Sequence, residues 1–335
     1  MLAGMVCALF LGGFHLVRNT NTFGPDELCH GLLPAEEMER TLEHSGRLDS
    51  EDYKNAPGKD DVEFRCSVRQ TSKLLGRDDA TVRIGSYQER ADFPFESALW
   101  VGAAKMSYFS GPATGAVSDS SGWVMLPESC WGKAAESPLM ERPPVYVIEA
   151  IASNTETKRR ELARALVKMA NAVSQRAGCA PGNASTDPRP LPAASVKPTD
   201  SAKVCGIPGL TLTVPSGTTQ DRPVERARSL TTAKADPVWA CDLLLDEKDL
   251  PYASFAVVRD KRLASAISQS LAHHTPGAGL MASCGGENTY FTMKTGARYG
   301  KLARAPRSGM PDEKALFKKF VSAAKKQLNC GNSAP

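Results

Sequence analysis

The sequence predicts an α+β protein. It reads as two tandem modules, each an antiparallel sheet packed with helices and stapled by two disulfides, behind an N-terminal transmembrane helix. Three observations carry this: the spacing of the cysteines, the likeness of the text around them, and an uncharged apolar stretch at the start. Nine cysteines are present and none lies in a C-x-x-C. Set Cys7 aside, and eight remain, at 29, 66, 130 and 179 and then at 205, 241, 284 and 330. The intervals are 37, 64 and 49 in the first set and 36, 43 and 46 in the second, so only the middle interval differs much. Widely spaced single cysteines fit a disulfide framework in an oxidising compartment better than a zinc or thioredoxin-like site.

Taken in chain order, the segment "MLAGMVCALFLGGFHLV" has no charge and is followed by Arg18. Its length is at the lower edge for a span, since about 20 residues cross the hydrocarbon core. It has no basic start and no A-x-A cleavage site, and Cys7 follows Val6 where a lipoprotein signal needs a small residue. Residues 1–18 are therefore expected to be an uncleaved anchor or signal, with the rest exported.

The first module is expected over 24–179. Pro34 with Glu36 and Glu37 suits the first turn of a helix. "VEFRCSVRQ" (62–70), "GWVMLPESC" (122–130) and "VYVIEAIAS" (145–153) read as strands, and "TKRRELARALVKMANAVSQRAGC" (157–179) as a helix with Leu162, Leu166, Met169 and Val173 inward. Against these align "VWACDLLLD" (238–246), "AGLMASC" (278–284), "TYFTMKTGA" (289–297) and "DEKALFKKFVSAAKKQLNC" (312–330) of a second module, 204–331. "YASFAVVRD" (252–260) adds a strand to that module and "KRLASAISQSLAHH" (261–274) a helix, and "GGEN" is a Gly-containing hairpin loop. The coarse order expected in each module is strand, strand, helix, strand, strand, helix. The Pro-rich stretch 180–203 is expected to be a semi-extended linker. The extra 21 residues of module one fall near 77–121, where "GPATGAVSDSSG" reads as an exposed loop.

Four cysteines per module allow three pairings. First-with-second and third-with-fourth is favoured, because each such bridge would tie a helix to the sheet: Cys29–Cys66, Cys130–Cys179, Cys205–Cys241 and Cys284–Cys330. "ELCHGLLPAEEM" followed by "FRCSV" resembles a family of actinobacterial envelope lipoproteins with a domain of unknown function. The resemblance covers roughly residues 27–70 and, more faintly, 203–245. It implies an extracytoplasmic α+β domain, a first-to-second disulfide and no established catalytic residues.

The net charge of +4 comes from 41 basic and 37 acidic residues, a balance that does not argue for nucleic acid. No G-x-S-x-G, Walker or dinucleotide fingerprint is present. Of the five histidines, His15, His30, His44, His273 and His274, the adjacent pair His273–His274 is the best metal candidate, but "HHTPGAG" reads as a helix stop, where histidine suits the helix dipole. His30 has no counterpart after Cys205, where Gly206 stands, and it reads as a surface residue. Ser118, Ser120 and Ser121 have no histidine near them in sequence, and Asp60–Asp61 and Asp78–Asp79 read as solvated. No catalytic, metal or cofactor residues are expected. What remains is a possible binding surface of Trp100, Trp123, Trp131, Arg159 and Arg160, with Trp239 assigned to the core. The expectation is a single-pass membrane protein with an extracytoplasmic region, no enzyme, binding an envelope protein, a ligand or an anionic polymer. A hydrolase with its site in 77–121, or a structural scaffold, is the alternative.

Overall fold

A computed structural model of the chain describes residues 20–54, 56–71, 79–89, 100, 102–133, 145–180, 187–189, 195–213, 218–219, 222–223, 227–232, 237–245, 250–271, 279–305 and 308–330. The chain falls into two compact units, Met1–Glu89 with Phe109–Pro190, and Arg90–Tyr108 with Leu191–Pro335. No helix among the described residues is long and apolar enough to cross a membrane, and the expected anchor, 1–18, lies outside them.

The first unit holds α1 (Ala35–Thr41) and a seven-stranded sheet, whose edge strand Ser107–Phe109 belongs to this unit only at Phe109. Its strands are β1 (Arg47–Asp52), β2 (Arg65–Thr71), β3 (Ala80–Glu89), β4 (Ser107–Phe109), β5 (Gly115–Val117), β6 (Ser121–Met125) and β7 (Val145–Ser153), in the order β1-β2-β3-β7-β6-β5-β4. Helix α2 (Arg159–Arg176) follows β7. It buries Leu162, Leu166, Met169 and Val173, the stripe expected from their spacing.

The stretch 111–122, expected as an exposed loop, is exposed only at Gly111, Pro112, Asp119 and Ser120; residues 113–118 are buried, and Gly115–Val117 pairs with the strand that starts at Ser121 as the hairpin β5–β6. Its small residues are there for close packing. A Cβ on Gly115 would stand 2.3 Å from Phe109 Cζ, and one on Gly122 would stand 2.8 Å from Val117 Cγ1 and 3.0 Å from Leu166 Cδ1. The serines close the turn: Ser118 N–H donates to Ser121 O at 2.7 Å, and Ser118 Oγ accepts from Ser121 N–H at 3.0 Å.

The second unit has strands β8 (Ser195–Pro198), β9 (Arg228–Thr231), β10 (Val238–Leu244), β11 (Ala253–Val258), β12 (Gly279–Cys284) and β13 (Glu287–Thr295) in the order β8-β9-β10-β11-β13-β12. The ladders with a described register in both sheets are antiparallel. Its helices are α3 (Lys261–Leu271), α4 (Ala297–Arg304) and α5 (Glu313–Gln327). One face of the sheet presents Trp239, Cys241, Leu243, Phe255, Val257 and Phe291 to Leu316, Phe320 and Ala324 of α5. Every residue of β10 and β11 is buried, so the other face is covered too, which is why both strands read as continuous apolar runs. Asp312 caps α5, its carboxylate accepting from Ala315 N–H at 2.7 Å. β12 and β13 are joined by Gly285 and Gly286, both at positive φ (63° and 86°), the backbone of a two-residue hairpin turn.

Several expectations need correction. The linker 180–203 is not only a spacer, because 195–198 adds β8 to the second sheet. Pro198 is tolerated there since β8 is an edge strand, where an N–H can be missing without breaking a ladder. The helix expected between the strand pairs of module one is, among the described residues, a single 3₁₀ turn, Ala103–Lys105, which packs on β9 and β10 in the second unit. β1 and β9 were not expected, and neither was α4.

All four expected disulfides are formed, with Cα–Cα distances of 5.4, 5.2, 6.0 and 4.0 Å in chain order. Cys29 and Cys205, the first cysteine of each set, are both left-handed (φ 53° and 58°), as are His30 and Gly206 after them.

Candidate functional site

A concave site with two cations free of hydrogen bonds among the described residues lies at the N-terminus of α2. The helix is held from below. Thr157 N–H donates to Asp119 O at 2.7 Å, and Lys158 N–H donates to Thr41 O at 2.8 Å. Arg159 grips the Asp119 carboxylate with two N–H groups, at 2.6 and 2.8 Å. That bidentate bond holds the Asp119 carboxyl below the usual aspartate range.

At the far end of α2, Cys179 is bonded to Cys130, and Ser129 Oγ donates to Cys179 O at 2.6 Å. The described residues 187–189 lie back along the helix. Arg164 donates to both oxygens of Asp187, at 2.8 Å each, and to Glu161 at 3.0 Å. Hydrogen bonding to Arg164 lowers the Asp187 pKa, with Arg160 and Lys168 adding to the effect.

These ties neutralise Arg159 and Arg164 and leave Arg160 and Arg189 without a hydrogen-bond partner among the described residues. Both line a cleft of about 530 Å³ with Phe109, Ser110, Pro112, Ala113, Asp187 and Pro188. The cleft thus offers two guanidinium groups, one carboxylate already held by Arg164, a hydroxyl and an apolar wall. Such a set suits an anionic ligand with a ring or chain to lay on the apolar side. The second unit has a cleft of about 680 Å³, lined by Thr199, Ser201, Thr211, Thr213, Lys319 and five apolar or glycine residues. It is larger but carries a single cation. Arg160, singled out in the sequence, reaches the first cleft, and Lys319 of α5 reaches the second.

The other residues singled out in the sequence fall elsewhere. Trp100, Trp123 and Trp131 are 3, 2 and 7% exposed and offer no aromatic surface, while Trp239 is core as expected. His30 is partly buried rather than free on the surface. Its Nε2 lies 2.7 Å from Lys54 O and its Nδ1 3.3 Å from Asp52, and its own carbonyl accepts from Arg176 at 2.7 Å. Cys29, Asp52 and Cys66 come close enough to hold a metal, but the two sulfurs are bonded to each other and neither is a thiolate. His44 is exposed, 3.6 Å from Glu43, and His15, His273, His274 and Asp78 lie outside the described residues.

Phe109, Asp187 and Arg189 were missed by sequence reasoning. The one available signal was the charged "DPR" inside an otherwise small, uncharged stretch. Also missed were Glu89 and Glu149, whose carboxyls are raised by burial. The strand register sets Glu149 opposite Gly85 and Glu89 opposite Val145, so their backbones are about 13 Å apart along β7, and after burial the like charge of Glu89 adds to the rise at Glu149.

Another buried acid makes a measurable contribution. Asp242 on β10 is 5% exposed; burial raises its pKa, while the Ser254 hydroxyl, donating at 2.6 Å, and Lys105 act in the opposite sense. A raised pKa means that the fold prefers the neutral acid. The associated stability is present below the unfolded value, about 3.9, and is lost as pH rises through the raised one. Asp242→Asn keeps the acceptor for Ser254 and removes the titration. Urea midpoints of the two proteins should nearly coincide near pH 4 and diverge in favour of the variant towards pH 7.5. A constant offset at both pH values would refute this.

No protein-family model, curated protein or solved structure matches the chain.

Proposed function

We propose that this chain is a non-catalytic, extracytoplasmic binding protein of the cell envelope. In this reading residues 1–18 anchor it, two related disulfide-stapled modules follow, and the protein retains an anionic, ring-bearing ligand such as an acidic glycan. The observation that carries the reading is the cleft at the start of α2, where Arg160 and Arg189 have no hydrogen-bond partner among the described residues and outnumber the one carboxylate, Asp187. The four disulfides support an oxidising compartment, in line with the resemblance to actinobacterial envelope lipoproteins. The strand orders β1-β2-β3-β7-β6 and β9-β10-β11-β13-β12 support the duplication, since the cysteine-bearing strands β2 and β10 take the same place in each.

The test is binding of a uronic-acid oligosaccharide and of its neutral counterpart by titration calorimetry. A hydrogen bond to a charged group contributes about 1.5–3 kcal/mol. Arg160→Ala and Arg189→Ala should therefore each weaken binding by about tenfold or more. Affinity should also fall with added salt, and the neutral sugar should not bind. Equal affinity in wild type and double variant would remove the cleft from consideration.

A further inference from the structure

We propose that β12 is a homodimerisation edge, on which the β12 strand of a second copy pairs antiparallel to join two sheets into one. Among the described residues, the four edges of the two large sheets differ in how they are defended. β1 carries Arg47, Asp49, Glu51 and Asp52, and β8 carries Lys197 and Pro198; charges and proline are the usual devices that keep an edge from pairing. β4 is buried at all three residues. β12, Gly-Leu-Met-Ala-Ser-Cys, has no charge and no proline, and its residues are partly or fully exposed.

Its free groups can be located. The two-residue turn at Gly285–Gly286 makes Cys284 and Glu287 a hydrogen-bonded pair, and the alternation extends this to Ala282 with Thr289 and Leu280 with Phe291. The N–H and C=O groups of Gly279, Met281 and Ser283 therefore point away from β13. They have no backbone partner among the described residues. In the first unit the strand at the same place in the order, β6, has that side covered by β5, an antiparallel strand of small residues, Gly-Ala-Val.

The occupant is a second copy because β12 is complementary to itself. Two antiparallel copies meeting on a two-fold axis at Met281 set Gly279 against Ser283 and Leu280 against Ala282. No like charges meet, and the three outward residues of each strand form about six backbone hydrogen bonds. This inference does not depend on the anion-binding cleft, which lies in the other unit.

Sedimentation of the full chain in mild detergent tests it. Wild type and Met281→Leu should form a dimer in the micromolar range. Met281→Lys, which sets two ammonium groups across the axis, should be monomeric at low salt and regain the dimer partially at high salt. Ser283→Pro removes one outward N–H at an exposed position, keeps the bonds to β13, and should also be monomeric; it decides the matter if Met281→Lys does not fold. Circular dichroism and intact disulfides establish folding of each variant. A wild type that stays monomeric at about 100 μM, or a dimer that persists in a folded Ser283→Pro, overturns the proposal.

Discussion

Replacing Cys130 and Cys179 together by alanine should lower stability by about 4 kcal/mol, because the bridge closes a loop of 49 residues. In the chain-entropy model the effect grows only with the logarithm of loop length, so the four bridges, with separations of 36 to 49, should differ little on that account. What separates them is burial. Cys130 is fully buried and Cys179 is 4% exposed, so their removal also costs packing beneath α2, whereas Cys284 and Cys330 are only partly buried. Urea unfolding of each double variant should therefore rank the Cys130–Cys179 loss above the Cys284–Cys330 loss. Limited reduction of the native protein, followed by alkylation and peptide mapping, should open Cys284–Cys330 before the others. An equal midpoint for the Cys130/Cys179 variant and wild type would mean that the bridge constrains nothing that packing does not already hold.

This bridge also bears on the site. It fixes the end of α2, where Cys179 O accepts from Ser129, and the chain then supplies Asp187 to Arg164 and Arg189 to the cleft. The variant should accordingly lose anion affinity at temperatures where it is still folded. The cleft is an assembly of three distant pieces, 109–113, 160 and 187–189, and that explains why so little of it was legible. Arg160 could be seen in the sequence because it sits on a regular helix face. Arg189 could not, because its position depends on a salt bridge formed 23 residues away from Arg164.

The fold was legible where a pattern had one physical cause. Residues 145–153 form a strand with the bounds expected, since seven of the nine are apolar and four of those are Val or Ile. The four pairings were expected from a tie of each helix to the sheet, a reason that holds for Cys29–Cys66 and Cys284–Cys330, whereas Cys130 and Cys205 lie in 3₁₀ turns. Legibility failed where the cause lay in the partner. "RLDSED" (47–52) is a strand only because an edge strand can keep its polar side chains in water, and β1 buries only Leu48 well. The small residues of 111–122 carry two meanings, loop or close approach, and only Phe109 and Leu166 decide between them. The tryptophans were misleading for a related reason: a large aromatic in a polar stretch can cover a core as readily as it can face solvent.

Phe320→Ala should be the most damaging single substitution in the second unit, at about 3–5 kcal/mol. Phe320 is fully buried on α5, and its ring meets four others: Phe255 at 4.9 Å, Trp239 at 6.3 Å, and Phe291 and Phe317 at 6.4 Å between centroids. Trp239, Phe255 and Phe291 stand on β10, β11 and β13, so this one side chain joins the helix to three adjacent strands. Truncation would leave a cavity that these strands cannot close, because every residue of β10 and β11 is already buried on one face or the other. Phe320→Leu refills most of the volume and should cost roughly half as much or less. Phe317→Ala should cost less still, as Phe317 is only partly buried against the same cluster. Thermal or urea unfolding of the three variants tests the order Phe320→Ala, Phe320→Leu, Phe317→Ala. A loss at Phe317 that equals or exceeds the loss at Phe320 would mean that α5 is held by its outer edge rather than by the aromatic contact at its centre. The Cys284–Cys330 bridge would then be the main attachment of that helix, which its own removal would reveal independently.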